Sequence, residues 1–190
     1  SIVHSQGFFH RSVNVILFRD EQTVLVQRRS CLKDIAPNAW DVSCAEHLRP
    51  GESYEQAAIR GLYEELGIDV KRRRKEVELQ RVRAPYIGKV ESRTETTEAS
   101  SKLSADPDGQ GGEIEAACVK DYEFQELWCL HWPYRVDIDE IEVESCEYVP
   151  IQTLVEDMRT CPSKYTSWFL AIGPYIRSAA SLCTADKQKN

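Results

Sequence analysis

The chain has 190 residues, 42% of them hydrophobic, which is enough to bury one core and little more, so a single domain with decorations is expected. A formal net charge of −7 excludes a general nucleic-acid binder, which neutralises phosphates with surplus Lys and Arg. No apolar run approaches the ~20 residues of a membrane-spanning helix and the N-terminus lacks a charged-then-apolar leader pattern, so a soluble cytoplasmic protein without membrane contact is expected. Along the chain, Val13, Val15 and Leu17 alternate, Arg19-Asp20-Glu21-Gln22 turns, and Thr23 to Gln27 forms a second run; together they predict a β-hairpin. Pro37-Asn38 turns the chain before a third short strand, Trp40 to Cys44, with Trp40 read as core.

Pro50-Gly51-Glu52-Ser53 leads into a helix whose N-cap is Ser53, with Gln56 at capping-box spacing and Gly67 as the C-terminal stop. Ala58, Ile59, Leu62 and Leu66 make its core stripe, which leaves 57, 60, 61, 64 and 65 on another face and points Glu64 and Glu65 away from the core. A basic run, Lys71 to Lys75, reads as a solvated loop. A strand is predicted over Leu79 to Ile87, followed by a polar stretch, 89–117, too poor in large apolar side chains to order itself. Tyr122 to Leu130 alternates as a strand, with Glu142 to Val149 as its expected partner. Pro150 opens a short helix through Met158, and Lys164 to Leu182 carries Trp168, Phe169, Ile172 and Ile176 at helical spacing. The order implies an α+β fold, a mixed β-sheet sandwiched between helices. The domain is expected to span 1–182, with a flexible tail over 183–190. Seven cysteines without a C-x-x-C pair read as reduced thiols and no zinc ligand set.

The chemistry is concentrated between Glu46 and Ile68. Glu52, Arg60, Leu62, Glu64, Glu65, Gly67 and Ile68 fall on the spacing G-x5-E-x7-R-E-U-x-E-E-x-G-U, where U is aliphatic, and the segment resembles the Nudix box. Physically, Mg²⁺ takes octahedral oxygen ligands and is held by a few carboxylates while substrate phosphates complete its shell. Glu64 and Glu65 on a rigid helix, with Glu52 at its start, can supply them, and Arg60, four residues before Glu64, can orient a carboxylate. The resemblance implies a Nudix fold and Mg²⁺, or Mn²⁺, as cofactor. It further implies hydrolysis of a diphosphate linkage in a small molecule, such as a nucleoside diphosphate derivative, by metal-activated water.

Two positions depart from the pattern. Glu46 replaces its opening Gly, and Gly61 replaces the first Glu of its R-E-U-x-E-E run, a carboxylate that the hydrolases commonly use on the metal. Glu123 on the later strand is the expected substitute, as ligand or general base. The metal set read from the sequence is therefore Glu52, Glu64, Glu65 and Glu123, with Glu64, Glu123 and Arg60 as catalytic residues. Arg28, Arg29 and His47 are the expected substrate contacts.

The flanks, including His10-Arg11-Ser12-Val13, Leu25-Val26-Gln27-Arg28-Arg29, Pro37-Asn38-Ala39-Trp40-Asp41 and Thr166-Ser167-Trp168-Phe169, are similar to the isopentenyl-diphosphate isomerase-like branch of Nudix proteins. In the isomerases, a catalytic Cys lies two residues before a metal-binding His. Here that His is His47 and the Cys position is Ala45, while strand alternation turns Cys44 to the opposite face. Asp121 and Glu123 match the isomerases' later carboxylate pair in spacing, and His10 matches a further histidine. The resemblance therefore leaves two alternatives beside hydrolysis. One is isomerisation of a C5 allylic diphosphate; the other is a diphosphate-binding module impaired by Gly61, in which Gly61→Glu is expected to create activity.

Overall fold

A computed structural model describes residues 9–93 and 118–184, so most of the expected polar insertion and residues 185–190 of the expected tail lie outside the described residues. The strands are β1 (Phe9–Asp20), β2 (Thr23–Arg29), β3 (Trp40–Asp41), β4 (Cys44–His47), β5 (Leu79–Arg93), β6 (Cys118–His131) and β7 (Val143–Pro150). Helix α1 (Tyr54–Leu66) follows β4, and α2 (Ile151–Thr160), α3 (Ser167–Ile172) and α4 (Ile176–Thr184) follow β7. All strands join one sheet with the path β3-β2-β1-β6-β5, to which β4 adds on β1 and β7 on β2. The sheet is mixed, because β1 runs parallel to β6 and antiparallel to β2 and β4.

Side-chain alternation along β1 splits the core into two layers. Val13, Val15 and Leu17 join Leu25 and Cys44 beneath Ala57, Ala58, Leu62 and Leu66 of α1. On the opposite face Ile16 and Phe18 join Val26, Leu127 and Cys129 beneath Leu154 of α2, Phe169 of α3 and Ile176 of α4, with Trp40 half-buried against them. The sheet thus lies between α1 and the C-terminal helices, the expected sandwich.

Helix α1 begins and ends where its caps dictate. Ser53 and Gln56 form the reciprocal capping box, and Gly67 adopts φ 64°, the left-handed conformation that favours glycine. Its buried arc is wider than the expected stripe, taking in Ala57, Gly61 and Glu65. Different neighbours cover each: Ala57 joins the apolar layer, Gly61 lies against Glu46 and Cys44, and Glu65 meets Gln27, while Asp137 and Asp139 donate their backbone N–H groups to the carbonyls of Leu66 and Glu65. Glu64 is exposed as expected, whereas Glu65 is buried.

Other elements depart from the expected arrangement. β7 pairs antiparallel with β2, not with β6, whose neighbours are β1 and β5. Alternation specifies a strand but not its neighbour. The expected strand Trp40 to Cys44 divides into β3 on β2 and β4 on β1; between them Ser43 Oγ accepts from Leu17 N at 2.9 Å and donates to the Leu25 carbonyl at 2.6 Å. The long C-terminal helix is interrupted by a 3₁₀ turn over Gly173–Tyr175, where Pro174 lacks an N–H to continue the ladder. Residues 89–93, expected in the insertion, belong to β5, and residues 183–184, expected in the tail, belong to α4.

Two polar clusters fix the parts that frame the cavity. Asp41, fully buried, accepts from Arg29 Nη1 at 3.1 Å, Thr166 Oγ1 at 2.9 Å, Trp168 Nε1 at 2.7 Å and its neighbour Val42 N at 2.8 Å, tying β3 to the start of α3. Arg60 on α1 ties the preceding loop to the helix: its Nε and Nη2 donate to Glu52 at 2.9 and 3.0 Å, and Nη2 also donates to the His47 carbonyl at 2.9 Å. Asp41→Ala strands the Arg29, Thr166 and Trp168 donors, and is expected to cost about 3–5 kcal/mol, read as a lower denaturant midpoint. The hydrogen bonds from Arg60 hold the Glu52 carboxyl at about 2, below its ordinary 4.5. The stability this contributes is present above 4.5 and lost as pH falls through about 2. Glu52→Gln is therefore expected to be less stable than wild type at neutral pH, with the gap in melting temperature closing across that acid window.

Candidate functional site

Three strands deliver the central group. The parallel register of β1 and β6 sets His10 opposite Glu123, and the antiparallel register of β1 and β4 sets Ser12 opposite His47. Glu123 Oε1 meets His10 Nε2 at 2.9 Å and His47 Nε2 at 3.2 Å. Its other oxygen accepts from Ser12 Oγ and Gln125 Nε2. Burial alone would raise the Glu123 carboxyl, but the hydrogen bonds from His10, His47, Ser12 and Gln125 outweigh it and hold the group far below the usual carboxylate range. One ligand atom from each of His10, His47 and Glu123 lies within 4.8 Å of the others, and among the described residues this is the group of three His, Cys, Asp or Glu ligands so closely spaced. Glu52, Glu64 and Glu65 are not part of it.

Those carboxylates occupy two other environments. Arg60 Nη1 meets Glu64 Oε2 at 3.0 Å and Glu46 Oε2 at 2.9 Å, so one guanidinium links Glu46, Glu52 and Glu64. Arg49 Nη2 also meets Glu64, at 3.2 Å. Glu65 instead lies buried, with Gln27 Nε2 donating to its Oε2 at 3.2 Å. Burial, then the nearby charge of Glu46, pushes the Glu65 carboxyl well above the usual range.

A cavity of about 620 Å³ reunites much of this set: Glu46, His47, Glu64, Glu65 and Glu123 all line it. Of the expected substrate contacts, His47 and Arg29 stand on its wall, while Arg28 is exposed outside it and donates to the Asn38 carbonyl at 3.3 Å. Arg29 is largely committed to Asp41 and to the Ile35 carbonyl. Arg49 and Lys33 are wall cations that the sequence reading did not single out, the latter paired with Glu142. Their spacing follows no motif, and only the fold brings them to the cavity. Ala45 lines the cavity, but Cys44 is buried in the layer under α1, where burial pushes its thiol well up. No cysteine is among the described residues of the wall.

Comparison with known proteins agrees with this architecture. The NUDIX domain family matches residues 8–169. An isopentenyl-diphosphate Delta-isomerase of Pectobacterium atrosepticum is 28% identical over 169 residues, covering 87% of this chain and 75% of that protein. An uncharacterised Nudix hydrolase of Clostridium acetobutylicum is 46% identical over 72 residues, 36% of this chain and 34% of that protein. Among solved structures, DR0079 of Deinococcus radiodurans superposes with a TM-score of 0.58 at 18% identity, covering 92% of this chain and 82% of that one. The dihydroneopterin triphosphate pyrophosphohydrolase of E. coli superposes at 0.54 and 17% identity, covering 94% and 98%. The match across nearly all of the described core, on a sheet that carries the box helix at its edge of the cavity, places this chain in the NUDIX domain family.

Proposed function

We propose that this protein is a divalent-metal-dependent hydrolase acting on a diphosphate linkage in a small molecule. The observation that carries the reading is the cavity, whose wall takes His47 and Glu123 of the His10–His47–Glu123 group together with the box carboxylates Glu64 and Glu65 and the cations Arg49 and Lys33, with no thiol among the described wall residues. The ligand chemistry fits such an ion. Two imidazoles beside a carboxylate accept Mn²⁺ more readily than Mg²⁺, whereas the oxygen-only Glu64 and Glu65 suit either ion. Bound there, a divalent cation supplies charge neutralisation on the diphosphate and makes a nearby water more acidic.

The side chains divide the remaining work. Arg49 and Lys33 meet phosphate oxygens with charge-assisted hydrogen bonds. Glu64, braced by Arg60 and Arg49, presents oxygens at the cavity wall. Burial, then the charge of Glu46, raises the proton affinity of the Glu65 carboxylate, as the role of general base requires. Glu123, held far below that range, is suited to hold a cation and not to act as the base.

Isomerisation of an allylic diphosphate is the second reading. It is favoured by the His10–His47–Glu123 group and by the relative named isopentenyl-diphosphate Delta-isomerase. Ala45 stands against it, because a methyl group at the cavity wall transfers no proton. Incubation with isopentenyl diphosphate and with a panel of nucleoside diphosphate derivatives, with Mg²⁺ or Mn²⁺, separates the two when followed by ³¹P and ¹H NMR. The expected result is phosphate-bond cleavage of at least one compound, slowed about 10²–10⁴-fold in Glu65→Gln. Conversion of isopentenyl diphosphate to its allylic isomer without phosphate release would contradict the hydrolase.

A further inference from the structure

Glu46 and Gly61 depart from the box in opposite senses: a carboxylate stands where the pattern has glycine, and glycine stands where it has a carboxylate. In the fold the two departures meet. A Cβ on Gly61 would run into Glu46 Cγ and lie 2.8 Å from Cys44 Sγ, so the space of a side chain at 61 is already filled. Gly61 sits inside α1 and outside the positive-φ set, hence space and not backbone conformation is what calls for glycine there. The Glu46 carboxylate is fixed by Arg60, the residue beside Gly61, at 2.9 Å, and reaches the cavity wall close to Glu65.

A second observation marks this corner as short of positive charge. Gln27, 4% exposed, donates Nε2 to Glu65 and leaves its buried Oε1 without a partner. An acceptor orphaned beside a buried carboxylate is costly unless a cation or proton joins them. We propose that Glu46 and Gly61 are a reciprocal exchange. The carboxylate that the box places on α1 at position 61 is delivered here from β4 by Glu46, and it binds a divalent cation at the Glu65 side of the cavity. The proposal rests on the metal-dependent reading above. It also reverses the expectation that Gly61→Glu creates activity, since that side chain has no room while Glu46 is present.

The test is Mn²⁺ titration followed by EPR, together with thermal melting, on the full chain. Glu46→Gln, which keeps the shape of the side chain, is expected to melt near wild type and to bind Mn²⁺ about 10–100-fold more weakly at a site retained in Glu123→Gln. Gly61→Glu is expected to melt lower than wild type, and Glu46→Gly/Gly61→Glu to melt higher than Gly61→Glu alone and to recover Mn²⁺ affinity. Unchanged Mn²⁺ affinity in Glu46→Gln, no Mn²⁺ bound by the wild type, or a double variant no better than Gly61→Glu overturns the exchange. Neither readout uses turnover. Mn²⁺ binding in the expected pattern without phosphate release contradicts the hydrolase alone; phosphate release with Mn²⁺ affinity indifferent to Glu46 contradicts the exchange alone.

Discussion

The register of β1 is the constraint on which the site depends. This one strand pairs in parallel with β6 and antiparallel with β4, and the two registers bring His10, Glu123 and His47 together. A slip of one residue in either pairing would turn the slipped side chains to the face under α1. What prevents the slip is the far end of the same face. His10, Ser12 and Asn14 give way to Ile16 and Phe18, which are buried beneath the C-terminal helices. The apolar half of the strand thus fixes the position of the polar half, and core packing sets ligand geometry.

Charge in the cavity is arranged around what is left uncompensated. Arg60 neutralises and orients Glu46, Glu52 and Glu64, whereas Glu65 is buried and accepts from the Gln27 amide. Asn14, 2% exposed on the cavity wall, likewise leaves Nδ2 without a partner. Buried polar groups are almost always satisfied, and the exceptions gather where a fold gives up stability for binding. Here two such orphans lie against the cavity or against a carboxylate that lines it, consistent with a site built to be completed by a charged ligand.

Local signals in the sequence were sufficient for local structure. The alternation at Val13, Val15 and Leu17, and the caps at Ser53 and Gly67, define the hairpin and α1, because each rests on neighbours a few residues apart. The spacing of Glu52, Arg60 and Glu64 made their interaction readable, and strand alternation placed Ala45 rather than Cys44 at the cavity. The burial of Glu65 was not readable, since its side chain meets Gln27 of β2 and a segment some seventy residues later, at Asp137 and Asp139, bonds the last turn of the helix. The His10 and Ser12 partners of Glu123 depend on pairing between strands more than a hundred residues apart. The role of Asp41 was hidden for the same reason: its Thr166 and Trp168 donors arrive from the far end of the chain. The break at Gly173-Pro174 was available in the sequence, but helical periodicity on either side of it masked the proline.

In the proposed reading, His10 of β1, His47 of β4 and Glu123 of β6 hold a divalent cation beside the cavity that Glu64 and Glu65 also line. Anomalous diffraction from crystals equilibrated with Mn²⁺ tests it most directly. The expected result is a Mn²⁺ peak within coordination distance of His10, His47 and Glu123, lost in Glu123→Gln. Mn²⁺ bound elsewhere on the chain, with that group left vacant in crystals of the active protein, would contradict it.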